Sequence, residues 1–217
     1  MNFALTLGWA GPAESRIFDL PTAVTDFDLR QVSRTAGHVD TRWLAELSRQ
    51  HLRRQDRNRT IAELAPFLRA AGLRQTRPDG DNSYYGRVLA IIEGRADSYA
   101  DITSRFGYFW ARPGQAAHSC LPADPLVLRA FGQLTAEIAA TAGEKADHLA
   151  PWPGVVFELV RRLQSDLPAM SLGRALACAI TGTDQAPALE ATLRLLGPDE
   201  TLARLRNALV LAGRRRV

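Results

Sequence analysis

The sequence predicts an all-α fold. Three observations carry this: apolar residues recur at helical spacing over most of the 217 residues, no run alternates with the period of a strand, and helix-start and helix-stop residues bracket the periodic stretches. Asp40 is placed to cap a first long helix, with Trp43, Leu44 and Leu47 turned inward and Arg42, Arg49 and Arg53 opposite. Thr60-Ile61-Ala62-Glu63 has the capping-box pattern of a second helix, which Gly72 stops. Ser98 and Asp101 open a third that runs into Phe106 and Phe109-Trp110.

Asp124-Pro125 pairs a cap with a proline at the first helical position, and Val127, Phe131, Leu134 and Ile138 then share one face. Helices at 153–165, 171–180, 186–196 and 199–212 complete the chain, the last two separated by Gly197-Pro198. Residues 10–38 read as irregular, residues 75–83 as a polar loop, and residues 111–125, with Pro113, Gly114, Pro122 and Pro125, as a linker between two helical bodies.

At 46% hydrophobic and 23% charged residues the composition is that of an ordinary globular protein. No stretch approaches the ~20 unbroken apolar residues that span a bilayer, so no membrane partner is expected. The N-terminus lacks the positive region and cleavage site of a secretory signal. Cys120 and Cys178 are too few for a disulfide framework, and Cys178 reads as core packing within Ala175–Ile180. The expected compartment is the cytoplasm.

The net charge is +4, and of 27 basic residues all but Lys145 are arginine. That excess follows either from base composition or from a use of the planar guanidinium against phosphates and bases. No phosphate-binding glycine pattern surrounds Lys145, which excludes P-loop chemistry, and no nucleotide cofactor is expected. Asp79, Asp81 and Ser83 begin like a calcium loop, but Tyr84 and Ala90 stand where that loop needs Gly and Glu; the segment reads as a turn. His118 and Cys120 lack a second ligand pair, and His38, His51 and His148 are scattered. No nucleophile elbow or carboxylate couple marks a catalytic centre.

Arg49, Arg53, Arg54, Arg57 and Arg59 crowd eleven residues with only Asp56 between them. They form either a solvated helix end whose cations suit the C-terminal dipole or a strip for phosphate contacts. Arg214-Arg215-Arg216 reads as a frayed tail, and Tyr84-Tyr85 and Phe106–Trp110 as core rather than base-stacking aromatics.

Several blocks in order resemble the part of bacterial glutamyl-tRNA synthetases that follows the catalytic domain. Asn2-Phe3-Ala4-Leu5-Thr6-Leu7-Gly8-Trp9 is similar to the segment after that family's KMSK-type signature. Phe27–Arg34 with Val39-Asp40 is similar to its stem-contact region, and Glu93-Gly94-Arg95-Ala96-Asp97-Ser98-Tyr99 to its Glu-Arg-x-Lys-Thr-Leu segment. Ala179-Ile180-Thr181-Gly182, Ala186-Pro187-Ala188-Leu189-Glu190 and Leu195-Leu196-Gly197 resemble its closing anticodon-binding module.

The resemblance implies a stem-contact segment at 1–55 and helical anticodon-binding bodies at 56–115 and 116–217. It implies that Arg95 reads the third anticodon base, a contact that can discriminate by ~1–3 kcal/mol. Thr181, Gly182, Ala186, Pro187 and Leu189 would then support unstacked anticodon bases, with Arg49, Arg53, Arg54 and Arg57 on phosphates.

The chain departs from the pattern at Ala177, where the family carries another anticodon-contacting arginine, and over Leu47–Leu52. Neither His38 nor Lys145 supplies a catalytic signature, so these residues alone are not expected to charge tRNA. The expected role is a non-catalytic tRNA binder that presents or sequesters glutamate-type tRNA for a tRNA-using enzyme or a separate catalytic chain. Two alternatives stand beside it: an excised part of an active ligase, and a helical scaffold that has lost RNA binding.

Overall fold

The computed structural model describes residues 1–9, 11, 17–35, 37–73, 82–114, 117–143, 152–165, 167–168, 171–184, 186 and 188–214. Most of the loop expected at 75–83, with Asp79 and Asp81, lies outside them, as do Lys145, His148, Pro187, Arg215 and Arg216. Ten α-helices make up the described part: α1 (Asn2–Thr6), α2 (Leu20–Asp26), α3 (Thr41–Arg54), α4 (Arg57–Ala70), α5 (Asn82–Ile92), α6 (Tyr99–Phe106), α7 (Pro125–Gly143), α8 (Gly154–Leu163), α9 (Ser171–Thr181) and α10 (Leu189–Arg214). No strand occurs among the described residues.

Local chemistry sets most boundaries. Asp40 accepts from the backbone N–H groups of Arg42 and Trp43 at the start of α3, and Ser98 from that of Asp101 at the start of α6. Asp124 accepts from the N–H of Leu126 at the start of α7. Gly72, at φ +67°, ends α4 in a Schellman turn: its N–H reaches the carbonyl of Arg69, and that of Leu73 the carbonyl of Leu68. In α10, Gly197 (φ 76°, ψ 174°) and Pro198 break the helix where the sequence predicts.

Three expectations are corrected. Helix α4 begins at Arg57, because Asp56 caps it by accepting from the N–H of Arg59; Thr60 lies one turn inside, with its hydroxyl on the Asp56 carbonyl. Residues 10–38 are not wholly irregular: Asp19 caps α2, which opens with Leu20-Pro21. Residues 111–125 are not a free linker, since Ala117–Cys120 form a 3₁₀ turn packed on α9 and Pro113 is buried.

Burial concentrates in three clusters. Trp9, Phe18 and Ala23 form a small one at the N-terminus, with Phe18 and Phe27 each edge-on to Trp9 at 5.4 Å. Leu64, Leu68, Val88, Ile102, Phe106 and Trp110 centre the second. Phe131, Leu134, Ile138, Leu176, Ile180, Leu193 and Leu205 centre the third. Leu47 is buried as predicted, whereas Leu44 is exposed, because the N-terminal segment leaves that side of α3 uncovered.

Arg204 joins the second and third clusters. It is only 3% exposed, and each guanidinium nitrogen is used. Nε donates to Glu200 at 2.9 Å, Nη1 to the Ile180 carbonyl at 2.7 Å, and Nη2 to the Tyr108 carbonyl at 2.8 Å. Ile180 lies in the last turn of α9, where carbonyls lack intrahelical partners and a cation suits the dipole. Burial pulls the Arg204 pKa down and the hydrogen bond to Glu200 opposes it; an arginine stays charged throughout the physiological range.

Replacing Arg204 by Met strands two buried carbonyls and removes a partner of Glu200. Urea unfolding of Arg204→Met is expected to show a loss of about 3–5 kcal/mol. Arg112→Gln, which removes an exposed contact to the same carboxylate, should cost less than about 1 kcal/mol. Equal effects would remove Arg204 from this role.

Candidate nucleic-acid interface

The arginines of the α3–α4 junction divide by their partners. Arg49 is not on a solvated face: Nε donates to Asp97 and Nη1 to Glu46, each at 2.8 Å, which ties α3 to the turn before α6. Those contacts raise its pKa, the Asp97 hydrogen bond foremost. Arg59 pairs with Glu63 at 2.8 Å. Glu63 also accepts from Gln55 and the Tyr99 hydroxyl, and these bonds, with Arg59 first, hold its carboxyl down at about 2. Arg53 stands 3.9 Å from Glu93.

Arg54 and Arg57 are exposed, and among the described residues no carboxylate stands within ion-pair distance of either. Helix polarity separates these two. Arg53 and Arg54 occupy the last turn of α3, where cations are stabilised; Arg57 opens α4, which has no acidic residue in its first turn. A cation there opposes the dipole, an effect that the capping Asp56 carboxylate partly offsets. The Arg57 side chain lies over the buried Gly86 of α5, with Cδ 3.4 Å from where a Cβ would stand. Arg53, Arg57, Glu93 and Gly94 line one cleft of about 110 Å³.

Arg95 follows Gly94 in the chain. Gly94, at φ +70°, turns the chain after α5 and leaves Arg95 exposed. Its Nη1 donates to the Ile91 carbonyl at 2.5 Å, and its own carbonyl accepts from Arg105. Among the described residues it has no carboxylate partner. A buried arginine–carboxylate pair therefore does not account for this residue.

Thr181 and Gly182 sit differently. Thr181 is buried, and its hydroxyl donates to the Ala177 carbonyl at 2.8 Å. Gly182 donates its N–H to the Cys178 carbonyl and takes φ +80°; a Cβ there would stand 2.7 Å from the Ala117 Cβ and 3.3 Å from that of Pro113. These two residues shape the end of α9, and the chain then leads to Ala186, Ala188 and Leu189 at the start of α10. Ala186 and Leu189 are half-buried, and Ala188 adopts φ 54° and accepts from the N–H of Thr192.

Tyr108 lies between the Arg95 turn and α10. Burial pushes its hydroxyl up to about 12, against weaker downward pulls from Thr192, Arg204 and Arg95. Phe106, Phe109 and Trp110 are also buried, so these aromatics are core.

Sequence reasoning missed two features here. Arg204 stands four residues after Glu200 and reads as half of an ordinary surface pair. Cys120 and Cys178, expected to be unpaired, are joined in a disulfide across 58 residues, with Cα atoms 5.9 Å apart. That bond also removes Cys120 as a candidate metal ligand. Among the described residues no group of three His, Cys, Asp or Glu is placed to hold a metal ion.

A second groove, of about 600 Å³, runs between α1, α3 and α6 and contrasts with the basic rim. Met1, Leu20, Leu44 and Phe67 line it, and its described acidic lining residues are Asp19 and Asp97. It does not suit a polyanion. No described helix is long and apolar enough to cross a membrane.

Residues 44–209 match the family model described as an anticodon binding domain. The chain is 28% identical to a glutamate–tRNA ligase of Anaeromyxobacter sp. strain K, over 98% of this chain and 43% of that protein. It is also 28% identical to glutamate–tRNA ligase 2 of Rhodospirillum rubrum, over 95% of this chain and 43% of that one. The chain thus spans less than half the length of the curated relatives it matches. Among solved structures, a glutamate tRNA ligase from Elizabethkingia meningosepticum superposes with a TM-score of 0.68 over 96% of this chain and 40% of the other, at 17% identity, which supports the fold.

Gly182→Ala is expected to destabilise the protein by about 1–2 kcal/mol through the left-handed backbone alone, and further by displacing Ala117. Thermal melting should show partial recovery when Ala117→Gly is added, because the 2.7 Å contact is then gone.

Proposed function

Because the chain belongs to the anticodon binding domain family, we propose that it binds tRNA, with glutamate tRNA the preferred species. Arg95 is the proposed base reader, and the chain from Thr181 through Gly182, Ala186 and Pro187 to Leu189 the proposed support for the anticodon loop. Arg53, Arg54 and Arg57 are the proposed phosphate contacts, with Arg49 positioning α3 beside them. The proposed organisation is a stem-contact segment at 1–55 and anticodon-binding bodies at 56–115 and 116–217.

One observation carries the reading: at the α3–α4 junction Arg54 and Arg57 are exposed, and among the described residues neither has a carboxylate within ion-pair distance. A phosphodiester would offset these neighbouring cations. The exposed Arg95, one residue past the cleft-lining Gly94, is proposed to offer its guanidinium to a base edge.

The proposed role of these 217 residues is non-catalytic: they hold tRNA in the cytoplasm while a nucleotide-binding body elsewhere, in the same polypeptide or a separate chain, supplies any charging chemistry.

Titration of glutamate, glutamine and unrelated tRNAs at two salt concentrations tests the proposal. Arg57→Gln should weaken binding to all three and lower the salt slope by about 0.7–1. Arg95→Gln should narrow the preference for glutamate tRNA with an unchanged melting temperature. Absence of binding at low salt would overturn the reading.

A further inference from the structure

The disulfide and the Gly182 turn form one mechanical unit. Cys120 ends the 3₁₀ turn that begins at Ala117, and Cys178 lies one helical turn before Gly182. The Cys178 carbonyl holds the Gly182 N–H at 2.8 Å, while Ala117 and Pro113 close over Gly182 so tightly that no Cβ fits. The bond therefore ties together the two pieces of chain whose contact shapes the end of α9. That end leads directly into Ala186–Leu189. Access is one-sided: Cys178 is fully buried, whereas Cys120 is partly exposed.

We propose that the Cys120–Cys178 disulfide is a thiol-sensitive clamp that holds the Thr181–Gly182 turn at the end of α9 in its RNA-binding arrangement. The inference rests on the tRNA-binding reading for its consequence, though not for the clamp itself. Where tRNA is used, disulfides are rare and those that form are mostly catalytic or redox-sensing. The co-reactant is a dithiol. Its thiolate attacks Sγ of Cys120, the exposed side; Cys178 leaves as a thiolate and takes up a proton. The dithiol's second sulfur then displaces Cys120, so two electrons pass to the protein and the reductant closes its own disulfide. With the bond open, Ala117–Cys120 can withdraw and the Gly182 turn loses its lid.

Thiol counting, amide exchange and binding of a glutamate tRNA transcript test this on the full chain, before and after treatment with dithiothreitol. The untreated protein should show no free thiol and the treated protein two. Affinity should fall about five- to tenfold, within the usual range of coupling between sites, and return on reoxidation. Cys120→Ser, which leaves the buried Cys178 in place, should bind like the reduced protein and ignore the reductant.

Amide exchange over 181–189 separates the clamp from the RNA reading. Faster exchange on reduction supports the clamp even if neither form binds tRNA, an outcome that would defeat only the tRNA reading. Two free thiols in the untreated protein, unchanged exchange on reduction, or tight tRNA binding that is the same before and after reduction would each overturn the proposal.

Discussion

Arg204 is a charge buried where water cannot reach it, and the arrangement around it follows from the need to satisfy its donors. A guanidinium transferred from water into a protein interior is stable only with near-complete hydrogen bonding. Here the partners come from three places: the carboxylate of Glu200 on its own helix, the last turn of α9, and the Tyr108 carbonyl after α6. Meeting those demands fixes the end of α9 against the body that carries α5 and α6. Arg112, which donates to the same Glu200 at 2.7 Å, extends the link to the surface. The Arg95 turn and the chain leading to Leu189 thereby belong to one framework, with Tyr108 between them.

The same electrostatic reasoning sorts the remaining arginines. Many are cancelled by a carboxylate three or four residues away, as in Arg105–Asp101, Arg161–Glu158 and Arg194–Glu190. Exposed pairs of this kind contribute little stability, yet they remove charge from the surface that a polyanion would meet. Arg54, Arg57 and Arg95 escape that cancellation among the described residues. All three are exposed, so their charge reaches the surface of a chain whose net charge is only +4. The groove beside α1 has the opposite character, apolar with two aspartates.

What could be read from the sequence was local. Asp40, Ser98, Asp124, Gly72 and Gly197-Pro198 act through hydrogen bonds or dihedral angles within a few residues of themselves, and each boundary they mark is observed. The start of α4 was misread because Asp56 and Thr60 both carry capping signals, and the earlier one prevails. Leu44 is exposed because its inward placement depended on a neighbour the sequence does not specify. The Arg49–Asp97 and Arg204–Tyr108 contacts, and the Cys120–Cys178 bond, join residues 48 to 96 positions apart, and no periodicity encodes them. In the candidate interface the resemblance drew attention to Arg95 and to the Thr181–Leu189 segment. Which arginines of the 49–59 cluster lack partners emerged only from the fold.

An anticodon-binding role for this surface requires the basic rim beside α4 and the turn after α9 to face one RNA loop. Nuclease footprinting of glutamate tRNA on the intact protein tests that requirement most directly. Protection centred on the anticodon loop is expected, lost from the third anticodon base in Arg95→Gln while the flanking phosphates stay protected. Protection confined to another part of the tRNA, or spread evenly along it, would contradict the account.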